Sequence, residues 1–195
     1  ELDANIPEIK DPHNEQISDL INKDVSELTG EIIRKFYDDL EITHNAGYGS
    51  VYIDYETLTD TEQWFTLKLT VSEVQASSNT YFKFYHIDRA NGAYVCFGDL
   101  FDSKDFEAIE QIIKKQMEAE MAADPNIVYW TEKTEMGQSI IALSAEQNFY
   151  FDDAGNLVIV YNKYEVAPGS MGCPEIVISK NIIAGYITPS YKTAQ

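Results

Sequence analysis

An α+β fold is predicted, with antiparallel sheets packed against two main helices. Three observations predict it. A 3.6-residue apolar stripe runs from Ile17 to Leu40, a 2-residue alternation replaces it from Gly49, and a second helical stripe is followed by alternation again. Helix, sheet, helix, sheet is a segregated order rather than the repeating strand-helix unit of a parallel α/β protein.

Each element follows from its pattern. After an extended lead marked by Pro7 and Pro12, apolar residues recur at Ile17, Leu20, Ile21, Val25, Leu28, Ile32, Ile33, Phe36 and Leu40, with Asn14 placed to cap the helix. Gly30 weakens this helix by up to about 1 kcal/mol relative to Ala, but the stripe continues on both sides of it. Val51, Ile53 and Tyr55 alternate, as do Phe65, Leu67, Leu69 and Val71; Tyr81 to Ile87 and Tyr94 to Phe97 complete four antiparallel strands. Asn91-Gly92 is the hairpin signal between the last two, because both central positions tolerate φ > 0.

The second helix opens at Asp102 or Ser103, carries Phe106, Ile109, Ile113, Met117 and Met121, and ends near Asp124-Pro125. Phe149 to Phe151 and Leu157 to Tyr161 then flank an Asp152-to-Asn156 turn, and Glu175 to Ser179 supplies a closing strand. The Met pair and the Tyr129-Trp130 pair read as core packing. The chain is expected to be a single module, or two packed subdomains of about residues 1–98 and 99–195, with Asp124 to Ser144 as a further separating stretch.

Charge restricts the partners. Asp and Glu number 33 against 14 Lys and Arg, a net charge of -19, so nucleic acid and anionic membrane surfaces are repelled, and the acidic excess either draws in a cationic protein or serves only to keep the protein dispersed. No run reaches the eighteen or so apolar residues that cross a bilayer, and the chain opens at Glu1 without Met. This reads as a processed or excised piece.

Catalytic and metal chemistry find no motif. His13, His44 and His86 have no second ligand at metal spacing, and Cys96 and Cys173 have neither metal-site nor redox-pair spacing. The two cysteines are either free and buried or, in an exported protein, bridged. There is no Gly-x-Ser-x-Gly elbow and no phosphate-cradling glycine loop, and the Asp152-to-Asn156 run lacks the alternating ligands of a calcium loop. No enzyme, cofactor or metal is expected.

The binding signal is the run Tyr164-Glu-Val-Ala-Pro-Gly-Ser-Met-Gly172. An apolar loop stiffened by Pro168, with Gly169 and Gly172 able to take φ > 0, holds one shape before a partner arrives, or turns a tight corner between strands. Gln75-Ala-Ser-Ser78 is a small polar run between two strands whose hydroxyls are able to hydrogen-bond a partner.

Several runs in order carry a resemblance: Asp54-Tyr-Glu-Thr-Leu-Thr-Asp-Thr61, Gln75 to Ser78, Leu100-Phe101, Lys115-Gln-Met117, Asp124-Pro-Asn126 with Tyr129-Trp130, and Tyr164 to Gly172. Together they resemble the extracytoplasmic domain of the RsiV-like anti-sigma factor family of Gram-positive bacteria. Related domains occur beside polysaccharide deacetylases. The resemblance implies a cell-envelope receptor that binds lysozyme, with binding exposing the anchored protein to signal peptidase and leading to sigma factor release. It places ligand contacts at Ser77 and Ser78 and along the corner at Glu165, Ala167, Pro168, Gly169, Ser170 and Met171. Lysozyme-sensing members read Ala-Pro-Gly-Tyr-Met-Gly where this chain has Ser170 for the tyrosine, an aromatic anchor worth on the order of 2 kcal/mol. The alternatives are a wall-associated glycan- or peptidoglycan-binding module and a secreted lysozyme inhibitor.

Overall fold

The computed structural model describes residues 1–11, 13–43, 49–132 and 140–191. The chain divides into two compact units, Glu1–Tyr94 and Val95–Gln195.

The first unit is one long helix on a five-stranded sheet. Strands β1 (Leu2–Ala4), β2 (Ser50–Asp60), β3 (Trp64–Val74), β4 (Ser78–Asp88) and β5 (Ala93–Tyr94) lie in sequence order across it. Helix α1 (Glu15–Ile42) covers one face. The sheet is mixed: β1 runs parallel to β2, and the remaining pairs are antiparallel. Three residues of strand held by one neighbour leave too short a period to see in the lead.

The stripe of α1 does the packing. Ile21, Val25, Ile32 and Phe36 are buried against Val51 and Ile53, Phe65, Leu67, Leu69 and Val71, and Tyr85 and Ile87, the alternating inward positions of β2, β3 and β4. Each such side chain contributes roughly 1.5–3 kcal/mol when fully buried. Leu20 departs from the expected stripe, being 58% exposed. Gly30 sits in unbroken helix with nothing within 4 Å of an added Cβ. Asn14 holds the cap position but makes no capping bond; its Nδ2 donates instead to Asp11 Oδ2 at 3.4 Å.

Arg89 ties three loops of this unit together. Its Nε donates to Asp11 Oδ2 at 2.8 Å, and a terminal nitrogen donates to Asp60 Oδ1 at 2.7 Å and to the Thr61 carbonyl. Burial favours the uncharged form of Asp11, but hydrogen bonds from Arg89, His13 and Asn14 outweigh it, so its carboxyl lies below the usual range.

The second unit packs helices on a three-stranded antiparallel sheet in the order β6 (Phe149–Phe151), β7 (Leu157–Val160), β8 (Glu175–Ile178). It opens with helix α2 (Phe97–Leu100), where the alternation through Tyr94 to Phe97 had predicted strand. Asp99 explains the change, since its carboxylate accepts the Cys96 N–H at 2.8 Å and closes a capping turn. Helix α3 (Phe106–Ala123) follows a turn in which Asp102 accepts the Lys104 N–H, and it ends at Asp124 as predicted. Ile109, Ile113 and Met117 face inward with no exposure, and the Phe97 ring lies 4.6 to 5.6 Å from those of Phe101, Phe106 and Phe149. A short helix, α4 (Lys180–Ile183), follows β8.

Between β6 and β7, Asp152 spends its carboxylate on its own turn, accepting from Ala154 N, Asn156 N and Asn156 Nδ2 at 2.8 to 2.9 Å, with Gly155 at φ +78°. Among the described residues, no helix is long and apolar enough to cross a membrane.

Candidate functional site

The corner predicted from Tyr164 to Gly172 is a loop closed at its base. β7 is buried along its whole length, and at its end the Tyr161 N–H donates to the Pro174 carbonyl at 2.9 Å, bringing the two loop stems together. Tyr161 is buried, and burial raises its hydroxyl well above its ordinary value, with Glu165 and Glu110 adding in the same direction.

Beyond the base the chain makes a reciprocal turn. Asn162 N–H donates to Glu165 Oε2 at 2.7 Å, and Glu165 N–H returns to the Asn162 carbonyl at 3.1 Å. Tyr164 is thereby held at φ +69°, a left-handed conformation unusual for a residue with a side chain and costing of order 1–3 kcal/mol. Its ring is 45% exposed and lies over Gly169, where an added Cβ would meet the ring's outer atoms at 2.3 to 2.5 Å. The Lys163 ammonium stands 5.3 Å from the same ring's centre.

The middle of the loop turns inward. Val166 and Ala167 have no exposure, and the Val166 carbonyl accepts the Trp130 N–H at 2.7 Å. Pro168 then leads a 3₁₀ turn, Gly169–Met171, in which Met171 N–H donates to the Pro168 carbonyl at 2.9 Å, and Gly172 leaves it at φ +69° and ψ -132°. Ser170 is exposed at the tip; Pro168, Gly169 and Met171 are half-buried.

The expected contacts therefore divide. Glu165, Pro168, Gly169, Ser170 and Met171 have surface to offer. Ala167 does not: its methyl is a core contact, because Val166 and Ala167 are the apolar pair that anchors the loop. Gly172 has the positive φ foreseen for it, whereas Gly169 does not and is needed for the close approach of the Tyr164 ring. Protein packed around the Glu165 carboxylate raises its pKa, an effect the Asn162 N–H partly opposes.

Ser77 and Ser78 lie in the first unit, at the β3–β4 hairpin. Val74 pairs with Ser78, and Gln75 N–H donates to the Ser77 carbonyl at 3.0 Å. Ser77 is exposed and Ser78 half-buried.

Two aromatic residues named in the sequence were not foreseen as exposed rings of the corner. Trp130, expected in the core, is 38% exposed, and its backbone is bonded to the corner; Tyr164 is the exposed ring of the corner itself. The available signal was position: Trp130 follows a Pro-marked helix end, and Tyr164 lies five residues before a glycine that has to be small.

For other chemistry, His86 is buried with Nδ1 3.1 Å from Thr66 Oγ1, His13 is exposed, and His44 lies outside the described residues. Cys96 and Cys173 are half-buried thiols. No three His, Cys, Asp or Glu side chains among the described residues gather to hold a metal.

Known proteins place this geometry. Residues 98–181, which contain α3, the sheet of the second unit and the whole corner, match the model of DUF3298, described as a protein family of unknown function. Over 187 residues the chain is 30% identical to anti-sigma-V factor RsiV of Bacillus subtilis (strain 168), covering 95% of this chain. The chain is thus similar to RsiV along nearly its whole length and to the DUF3298 family over its second unit. It spans 65% of the length of that relative. The chain shares its fold with two crystallised DUF3298 proteins, each at a TM-score of 0.64. One, from Bacteroides fragilis NCTC 9343, is 20% identical, the match covering 86% of this chain and 69% of that one; the other, from Pseudomonas aeruginosa PAO1, is 16% identical, with 92% and 82% covered.

Proposed function

We propose that this chain is the extracytoplasmic sensor domain of an RsiV-like anti-sigma factor, a binding module without catalytic activity. Its ligand is a cationic protein, lysozyme in the first instance, and its binding permits the regulated proteolysis that releases a sigma factor. The observation that carries the reading is the similarity to RsiV across nearly the whole chain. Three further features support it. The net charge of -19 steers a basic partner inward, the corner is preshaped by its buried Val166-Ala167 pair, and Glu165, Pro168, Gly169, Ser170 and Met171 remain accessible around it. Ser77 and Ser78 form a second contact in this reading.

Titration of the domain with hen and human lysozyme at low and physiological ionic strength tests it. Dissociation constants of about 1 μM or tighter that weaken with salt are expected. No heat and no spectral change at either salt would remove the lysozyme reading. Ser170→Tyr restores an aromatic at the tip and is expected to tighten binding about tenfold. An unchanged affinity places the contact away from the corner.

The exposed rings of Trp130 and Tyr164 favour a second reading, a wall-associated module that stacks sugars. Retention on insoluble peptidoglycan, lost in the Trp130→Ala and Tyr164→Ala variants while lysozyme gives no signal, would select it.

A further inference from the structure

The run from Asp54 to Thr61 takes no part in the corner or the β3–β4 hairpin, and most of it lies on an open flank of the first sheet. β2 is eleven residues long, but β1 pairs with only three of them, Val51, Tyr52 and Ile53. The Asn5 N–H reaches the Ile53 carbonyl at 2.8 Å, and the lead then turns away to Ile9, whose peptide is gripped by the Asn22 side chain of α1 at 2.7 and 2.9 Å.

Pleating decides which groups face the open flank. The Val51 N–H and the Ile53 carbonyl point at β1, so the peptide groups of Tyr55 and Thr57, two and four residues further on, point the same way with no strand beside them. Of these groups the Tyr55 N–H is held within the chain, donating to Asp54 Oδ1 at 2.9 Å; the same oxygen accepts from Asn5 Nδ2 at 3.4 Å. A bulge shifts the register between Thr57 and Thr59, which limits the regular edge to residues 54–57. Tyr55 is 46% exposed, and Asp54, Glu56 and Thr57 are exposed as well. Open peptide donors and acceptors along a sheet edge are a template for another extended chain.

Charge selects which chain. Asp54 and Glu56 share one face of the edge, and neither is ion-paired among the described residues. Lys68, across the ladder from Glu56, holds its ammonium over the Phe82 ring, 4.6 Å from the centre. A second copy would bring the same two carboxylates against this edge on a molecule of net charge -19, and like charges on adjacent strands repel. A strand with Lys or Arg at alternate positions sets cations beside both carboxylates instead.

We propose that residues 54–57 of β2 accept an extended basic polypeptide segment as an added strand in line with β1. The backbones of Tyr55 and Thr57 supply the ladder, and Asp54 and Glu56 select the charge. In the complex Asp54 yields the Tyr55 N–H to an incoming carbonyl and turns to an incoming cation. The site goes beyond the lysozyme reading, since it uses none of the residues of the corner or the hairpin.

The probe is a heptapeptide of alternating lysine and threonine, acetylated and amidated, titrated into the full 195-residue chain while backbone amide shifts and hydrogen exchange are followed. Saturable shifts at Tyr55 and Thr57 are expected, with a dissociation constant of about 1 mM or tighter that weakens with salt, and exchange of the Thr57 N–H slowed about tenfold at saturation. Two control peptides are expected to leave that exchange rate unchanged: one with glutamate for lysine, and one with proline for threonine, which keeps the cations but forms no regular strand. Thr57→Pro removes an outward N–H where an edge strand tolerates proline, and Glu56→Lys reverses an exposed charge; each is expected to weaken peptide binding about tenfold. Ser170→Tyr is expected to leave peptide affinity unchanged, so this site and the lysozyme reading fail separately. Shifts without slowed Thr57 exchange, equal binding of either control peptide, or an unchanged affinity in Glu56→Lys would overturn the proposal. So would concentration-dependent protection of Thr57 in the chain alone, which would give the edge to a second copy.

Discussion

The corner at residues 161–174 and the tip of the β3–β4 hairpin at residues 74–78 are both exposed loops between strands, yet they are held in opposite ways. The hairpin tip is marked by the Val74–Ser78 strand pairing and by a turn hydrogen bond from Gln75 N–H to the Ser77 carbonyl. The corner is over-determined: a pinched base, a reciprocal Asn162-Glu165 turn, two fully buried residues at its centre, a left-handed Tyr164 and a Gly172 at positive φ. A loop built with that much internal constraint loses little conformational entropy when something docks on it, whereas a loop held only at its ends loses more. The corner is accordingly the place to look for affinity, and the hairpin tip for adjustment.

Several substitutions would sharpen or break this contrast. The largest effect is expected from Val166→Ala, which opens a cavity under the corner and should lower the unfolding free energy by about 2–3 kcal/mol in urea titration. A loss below about 0.5 kcal/mol would mean the corner is not anchored from beneath. Gly172→Ala comes next. Nothing lies within 4 Å of the added methyl, so its cost is backbone strain alone, about 1–3 kcal/mol, again from urea midpoints.

Glu165 offers a pH test with a defined sign. Its pKa is raised in the folded state, so folding holds the proton more tightly than the unfolded chain does, and stability falls as pH rises from the ordinary value of 4.5 through the higher folded one. In Glu165→Gln that segment of the stability-pH curve should flatten. An identical curve would show that the carboxylate is solvated like any surface acid. The smallest effect is expected at Ser77→Ala, within about 0.5 kcal/mol of wild type, because this residue is exposed on the weakly constrained tip.

Most of this architecture was legible in the sequence where a pattern repeats. The stripe from Ile17 to Leu40 and the alternations through β2, β3 and β4 each extend over enough periods to choose between helix and strand. Short elements were harder. β1 is three residues long and exists because β2 is beside it, and Phe97–Leu100 is helical with its start closed by Asp99 on the Cys96 N–H, a local capping signal that a run of four alternating residues outweighed in the reading.

In the corner, Gly172 was legible because φ > 0 is a local property. The role of Gly169 was not, since it depends on where the Tyr164 ring comes to rest. Ala167 entered the expected contacts through the resemblance, and no local pattern shows which way a small apolar loop residue faces; its buried position is a property of the packed second unit. Trp130 was misread in the other direction, since a large aromatic is assigned to a core by default and this one keeps a third of its surface open.

The attachment of the first strand has a mechanical consequence. Residues 1–5 are laced to β2 along one flank, from the Val51 N–H on the Glu1 carbonyl to the Asn5 N–H on the Ile53 carbonyl, with β1 itself as the rim of the sheet. Tension reaching the molecule through Glu1 would therefore unzip these few bonds in order, Glu1 first and Asn5 last, before any load fell on the interior. The rim strand behaves as a tear-strip, the first part to give way under a pull.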